Sequence, residues 1–158
     1  MKKNILTTLV ISAVAFFMTS CSDNATYVNE TIVNRLEKSA ELLNEVVEYA
    51  EVDDYATATA YLDSITNHIS ESTAVISKMK NKSAEQFIQT SLDYLNYFST
   101  GVADYKKAIE IYQTAETNVQ FEKANDIVND FLEVADAKFE KVQEAQVEFA
   151  KANDITLH

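Results

Sequence analysis

Apolar positions along this chain keep a helical rhythm for most of its length. Val28, Ile32, Leu36, Ala40, Leu43, Val47 and Ala50 recur at spacings of three and four, which places them on one face of an α-helix from about Ala25 to Ala50. Glu30, Arg35, Glu37, Glu41, Asn44, Glu45 and Glu48 fill the opposite and flanking positions. A second stripe, Ala58, Leu62, Ile65, Ile69, Ile76 and Met79, predicts a helix from about Tyr55 to Lys80, weakened midway by Ser72 and Thr73. The third runs Ile88, Leu92, Leu95, Phe98, Val102, Tyr105, Ile109 and Tyr112, straight through Gly101. The fourth, Phe121, Ala124, Val128, Phe131, Ala135, Phe139, Val142, Phe149 and Ala152, predicts a helix from about Asn118 to Asn153.

Polar punctuation separates these stripes. Asp53 or Asp54 can accept hydrogen bonds from the first amides of the second helix. Ser83-Ala84-Glu85-Gln86 and Thr117-Asn118-Val119-Gln120 both match capping boxes, which mark the starts of the third and fourth helices. Connections this short make sequential helices antiparallel, so the expected fold is all-α: an up-down-up-down four-helix bundle, one domain over residues 27–158. One glycine and no proline agree with that, because sheet folds need many turns built from those residues. At about 1.5 Å per residue the third and fourth helices reach roughly 50 Å and the second about 39 Å. The hairpin of the long pair should therefore project about 10 Å beyond the first hairpin, less whatever a kink at Gly101 absorbs.

The first 26 residues stand apart from the helical pattern. Lys2 and Lys3 precede an apolar run, Ile5 to Met18, which is shorter than the ~20 residues of a membrane span and reads as a secretory signal. The run ends in Met18-Thr19-Ser20-Cys21, and this tetrapeptide resembles the lipobox of bacterial lipoproteins, with Met18 where leucine is commonest. The resemblance implies removal of residues 1–20, a diacylglycerol on the Cys21 sulfur, and a further chain such as palmitate on the new amino group. Several acyl chains, at about 0.8 kcal/mol per buried CH2, anchor a protein far more firmly than one. Residues 21–26 then become a lipidated cysteine and a polar tether. Ser22, rather than aspartate, after the cysteine points by the same resemblance to the outer membrane of the cell envelope, with the bundle facing the periplasm or the surface.

Charge narrows the partners. Thirteen basic and twenty-five acidic residues give −12, and loss of Lys2 and Lys3 makes it −14. Nucleic acid is excluded as a partner, since its binding needs clustered lysine and arginine, and a polybasic membrane contact is disfavoured. The acidity itself reads as a solvated surface or, more sharply, as attraction to a cationic partner.

Candidate chemistry is sparse. A di-iron bundle site needs two Glu-x-x-His motifs, whereas the histidines are His68, with Ile65 three residues before it, and His158. No metal and no cofactor is expected. The chain also lacks a G-x-S-x-G elbow, a glycine-rich phosphate loop and any thiol besides Cys21, so no enzyme is expected. What remains is a set of tyrosines at the end opposite Cys21: Tyr49, Tyr55, Tyr61, Tyr105 and Tyr112, with Phe121 just beyond. They are either core positions whose hydroxyls reach solvent, or an aromatic recognition surface or small apolar pocket. Tyr27, Tyr94 and Tyr97 form a lesser group nearer the anchor. The functional expectation is a monomeric, non-catalytic binding module that is attached to the membrane through Cys21 and engages an unidentified envelope or extracellular protein. The alternative is a small-molecule-binding or sensor-like bundle.

Overall fold

The structure is a computed structural model that describes residues 23 to 157. Those residues form four α-helices: α1 (Asp23–Glu51), α2 (Tyr55–Ile76), α3 (Glu85–Thr114) and α4 (Asn118–Ala152). A single 3-10 turn, Lys82–Ala84, leads into α3, and the described residues contain no strand. α1 packs on α2, α2 on α3 and α3 on α4, as the antiparallel bundle requires. α1 and α4 pack on each other more weakly than the other neighbours, and a buried amide pair links them, in which Gln146 Nε2 on α4 donates to Asn29 Oδ1 on α1 at 3.0 Å.

Local chemistry sets the helix ends. Asp54 caps α2 by accepting the amide of Thr57 at 3.1 Å. Thr117 and Gln120 form the expected reciprocal capping box at the start of α4. The box expected at Ser83–Gln86 does not form. Asn81, in extended conformation, accepts the Ser83 amide one turn earlier, so the chain enters α3 through the 3-10 turn and the position before α3 falls to Ala84, which has no acceptor. Helix α2 likewise stops at Ile76, its last buried residue, and not at Lys80; the amides of Lys78 and Met79 turn back to Val75 and Ile76 in tight three-residue loops.

With one glycine available, the chain ends two helices on aspartate. Asp53 and Asp154 both adopt positive φ, 61° and 53°, the left-handed conformation that usually falls to glycine. In each case the following amide reaches back to a last-turn carbonyl, Asp54 to Tyr49 and Ile155 to Ala150, both at 2.9 Å.

Two further expectations need correction. The tether expected at residues 22–26 is helical from Asp23 onward, and Ala25 is already in the core. The long hairpin does not project 10 Å past the short one. Tyr55, the first residue of α2, stacks on Tyr112, two residues from the end of α3, so the two hairpin ends are level within about one helical turn of ~5 Å. The surplus length of α3 lies at the other end, alongside residues 77–84. α3 runs unbroken through Gly101, as its apolar stripe predicts.

Gly101 makes room. A Cβ there would fall on the Cδ2 and Cε2 atoms of Phe131, so the α4 ring lies flush against the α3 backbone. Phe98 meets the same ring edge-on at 5.2 Å and Tyr105 at 6.1 Å, while Tyr97 stacks on it at 5.9 Å. Full burial of such a side chain stabilises by about 1.5–3 kcal/mol. The seam of α3 also turns near its start: Phe87 and Tyr94 are buried where Ile88 and Leu92 were expected, and these two are only partly covered.

Candidate functional site

The candidate site is the end of the bundle formed by the α1–α2 and α3–α4 turns. All five tyrosines named from the sequence reach it, but as two stacked pairs and one buried ring. Tyr49 on α1 stacks on Tyr61 on α2, ring centres 5.4 Å apart, and Tyr55 stacks on Tyr112 across α2 and α3 at 6.3 Å. Tyr112 extends the second pair to Phe121 at 6.3 Å. These four tyrosines are half-buried, each with one flank on the core.

Their hydroxyls differ. Tyr55 donates to Asp53 Oδ1 at 2.7 Å, and Tyr112 donates to Asn125 Oδ1. Burial, then the Asp53 carboxylate, pushes the Tyr55 hydroxyl up to about 12, and burial raises Tyr112. Glu45 raises Tyr61 by opposing a second negative charge beside it. Tyr105 departs from the expectation of hydroxyls reaching solvent. It is 1% exposed and its hydroxyl has no hydrogen-bond partner. Burial holds that hydroxyl well above the ordinary tyrosine range, with Tyr112 and Glu51 adding to the shift from nearby. An unpaired buried hydroxyl costs about 1–3 kcal/mol.

Two features of this end were not read from the sequence. The two most exposed large hydrophobics among the described residues lie here, Val52 at 72% in the α1–α2 turn and Val119 at 73% in the first turn of α4. Neither belongs to a seam, and that is the signal by which they could have been found. Charge is also sorted along the bundle. The half toward this end, residues 38–65 and 100–135, carries fourteen acidic and four basic residues; the other half, 24–37, 66–99 and 136–157, carries ten and seven.

A second polar cluster sits midway along α1 and α2. Arg35, the chain's one arginine, donates from Nη1 to Ser72 Oγ at 3.3 Å, while its own carbonyl accepts from Ser39 Oγ at 3.0 Å. His68 Nε2 lies 2.9 Å from that same carbonyl, which can only accept, so Nε2 carries the proton. The weak point at Ser72 in the α2 stripe was its sequence signal, and its partners became visible only once α1 lay alongside. This cluster ties two helices together in one register. Among the described residues no group of three His, Cys, Asp or Glu side chains converges as a metal would need.

The remaining named positions separate. Tyr94 is in the core against Phe98 and Phe139, Tyr97 donates to the Phe131 carbonyl at 3.3 Å with Lys138 above its ring, and Tyr27 is exposed. They do not form one group. Cys21, the segment 1–20 expected to be a signal, and His158 lie outside the described residues. Among the described residues no helix is long and apolar enough to cross a membrane. Compared with family models, curated proteins and solved structures, the chain matches none of them.

Proposed function

We propose that this chain is a bacterial envelope lipoprotein, held in the outer membrane by acyl chains on Cys21, whose bundle is a non-catalytic interaction module. Its binding end is the tyrosine-rich pole, and the partner is an envelope or extracellular protein. One observation carries this reading: Val52 and Val119 stand exposed beside two half-buried tyrosine stacks, in the half of the molecule that holds most of the net charge. Apolar side chains left in water next to aromatic rings are a typical interface centre, and an acidic surround favours a partner of opposite sign.

The test has two arms. Radiolabelled palmitate should enter the wild-type chain and not Cys21→Ser; equal labelling of both would refute the anchor. Photo-crosslinking residues placed at Val52 and Val119 in the full chain should yield a discrete adduct in native envelopes, while one at Val147, on the half nearer the anchor, should not. Equal adducts at all three positions would refute the polar assignment.

A small-molecule reading is favoured by one fact, the unpartnered Tyr105 hydroxyl, which a polar ligand atom could satisfy. Two open hollows on the surface lie elsewhere, one at residues 79–89 and one on α4 at residues 140–148.

A further inference from the structure

The opposite end of the bundle carries its own chemistry, concentrated in the connection between α2 and α3. Lys78, Lys80 and Lys82 fall within five residues, and all are exposed. Among the described residues none of them forms an ion pair, and neither do Lys123, Lys138 and Lys141, whereas Lys38, Lys106, Lys107 and Lys151 each pair with a carboxylate. Between them Met79, with Ile88 of α3, supplies apolar wall to an open hollow of about 460 Å³ that is also lined by Lys80, Asn81, Lys82, Glu85 and Gln89.

Where this connection sits is fixed by the last turns of α4. Gln146 bonds to Asn29, near the start of α1, and Asn153 accepts from Ser83 beside the lysines at 3.1 Å. The start of α1 and the lysine turn therefore share one end, and the apolar run Ile5–Met18 and Cys21 lead directly into that start. Tyr27, 60% exposed, stands on the first turns of α1 at this same end. Tyrosines at this depth are typical of membrane–water boundaries.

We infer that the α2–α3 turn is a second membrane contact, which sets Lys78, Lys80 and Lys82 among the headgroups of an anionic phospholipid surface. The inference rests on the proposed anchoring of the chain at this end. Each lysine near such a surface contributes about 1 kcal/mol. Carboxylates at this end, Glu30, Glu85, Asp93, Glu144, Glu148 and Asp154, oppose it, and Lys151 already neutralises Glu148. The acidic pole does not oppose it, because it lies a helix length away, roughly 40 Å, against a screening length of about 8 Å in physiological salt. The overall negative charge that disfavours a polybasic contact on composition alone thus loses its force once the charges are placed.

Amine-reactive footprinting of the full chain reads this directly. The chain is mixed with vesicles of phosphatidylcholine alone or blended with phosphatidylglycerol, and the acylation rate of each lysine is followed by mass spectrometry. Lys78, Lys80 and Lys82 should react about tenfold more slowly on the anionic vesicles, with protection lost in high salt, while Lys107 and Lys123 at the far pole stay unchanged. Lys78→Glu/Lys80→Glu/Lys82→Glu should remove the protection of Tyr27 from iodination on the same vesicles. A chain that floats with both vesicle types but shows equal lysine rates on each overturns this contact and leaves the anchor standing. Failure to float on neutral vesicles refutes the anchor instead; salt-sensitive protection on anionic vesicles would then still support the contact, and its absence would overturn it.

Discussion

The two ends of the bundle are made from the same kinds of helix and turn, yet they present different chemistry. One end pairs its tyrosines, exposes Val52 and Val119, and belongs to a half with ten more acids than bases. The other belongs to a half with three more, and its turn holds three unpaired lysines. Stability does not require this sorting, since surface charges contribute little to a fold wherever they lie. The difference teaches that net charge is the wrong summary for this molecule: a value of −12 describes neither end.

If the comparison is sound, the two halves must be held together by their shared core, and the largest effect should come where they join. Phe131→Ala should lower unfolding stability by about 3–5 kcal/mol, and Gly101→Ala by about 3 kcal/mol, measured by denaturant titration. The double variant Gly101→Ala/Phe131→Leu should recover part of the second loss. Simple additivity of the separate Gly101→Ala and Phe131→Leu costs would show that the ring and the glycine are not one contact.

Alkaline pH should come next. Tyr55, Tyr94, Tyr105 and Tyr112 all have hydroxyls raised above their ordinary value of 10. Groups raised in the folded state contribute stability that is complete below the unfolded value and is lost as pH rises through the folded one. For Tyr55 that window is about pH 10 to 12. Ultraviolet titration should show Tyr94 and Tyr105 ionising only as helicity is lost; ionisation at pH 10 with helicity intact would contradict their burial.

Smaller effects separate the ends. Tyr105→Phe, which deletes the unpaired hydroxyl, should raise stability by about 1 kcal/mol at the tyrosine pole. Tyr61→Phe should be neutral, and a loss at Tyr105 would mean the hydroxyl has a partner. Asp154→Gly should stabilise by about 0.5–1 kcal/mol, because a left-handed position strains any side chain. Asp53→Gly should gain less, since Asp53 also accepts the Tyr55 hydroxyl.

Much of the fold was legible because the chain offers few alternatives. Apolar residues at spacings of three and four, one glycine and no proline specify helices and little else, and Asp54 and Thr117 cap where their side chains allow. The α3 seam was legible only in its second half. Phe87 and Tyr94 lie beside Ile88 and Leu92 on the helix surface, so periodicity alone could not say which face α4 would cover. The tyrosine pole was named correctly as a location, but the pairing and the orphaned hydroxyl arise from helices distant in sequence. The lysine turn was hidden by arithmetic: its charges were counted against acids that the antiparallel topology places at the other end.

Gly101 and Phe131 carry a consequence beyond packing. A ring that fits against one gap in the backbone of α3, the only such gap the chain possesses, works as a dowel: α4 can be seated at one axial position, and a slip of a turn would drive the ring into a side chain. Two long helices pegged in this way form a strut of set length, and α4 with its 35 residues measures about 52 Å. The two ends of the bundle are thereby held a set distance apart, with Val52 and Val119 at one and the lysine turn at the other.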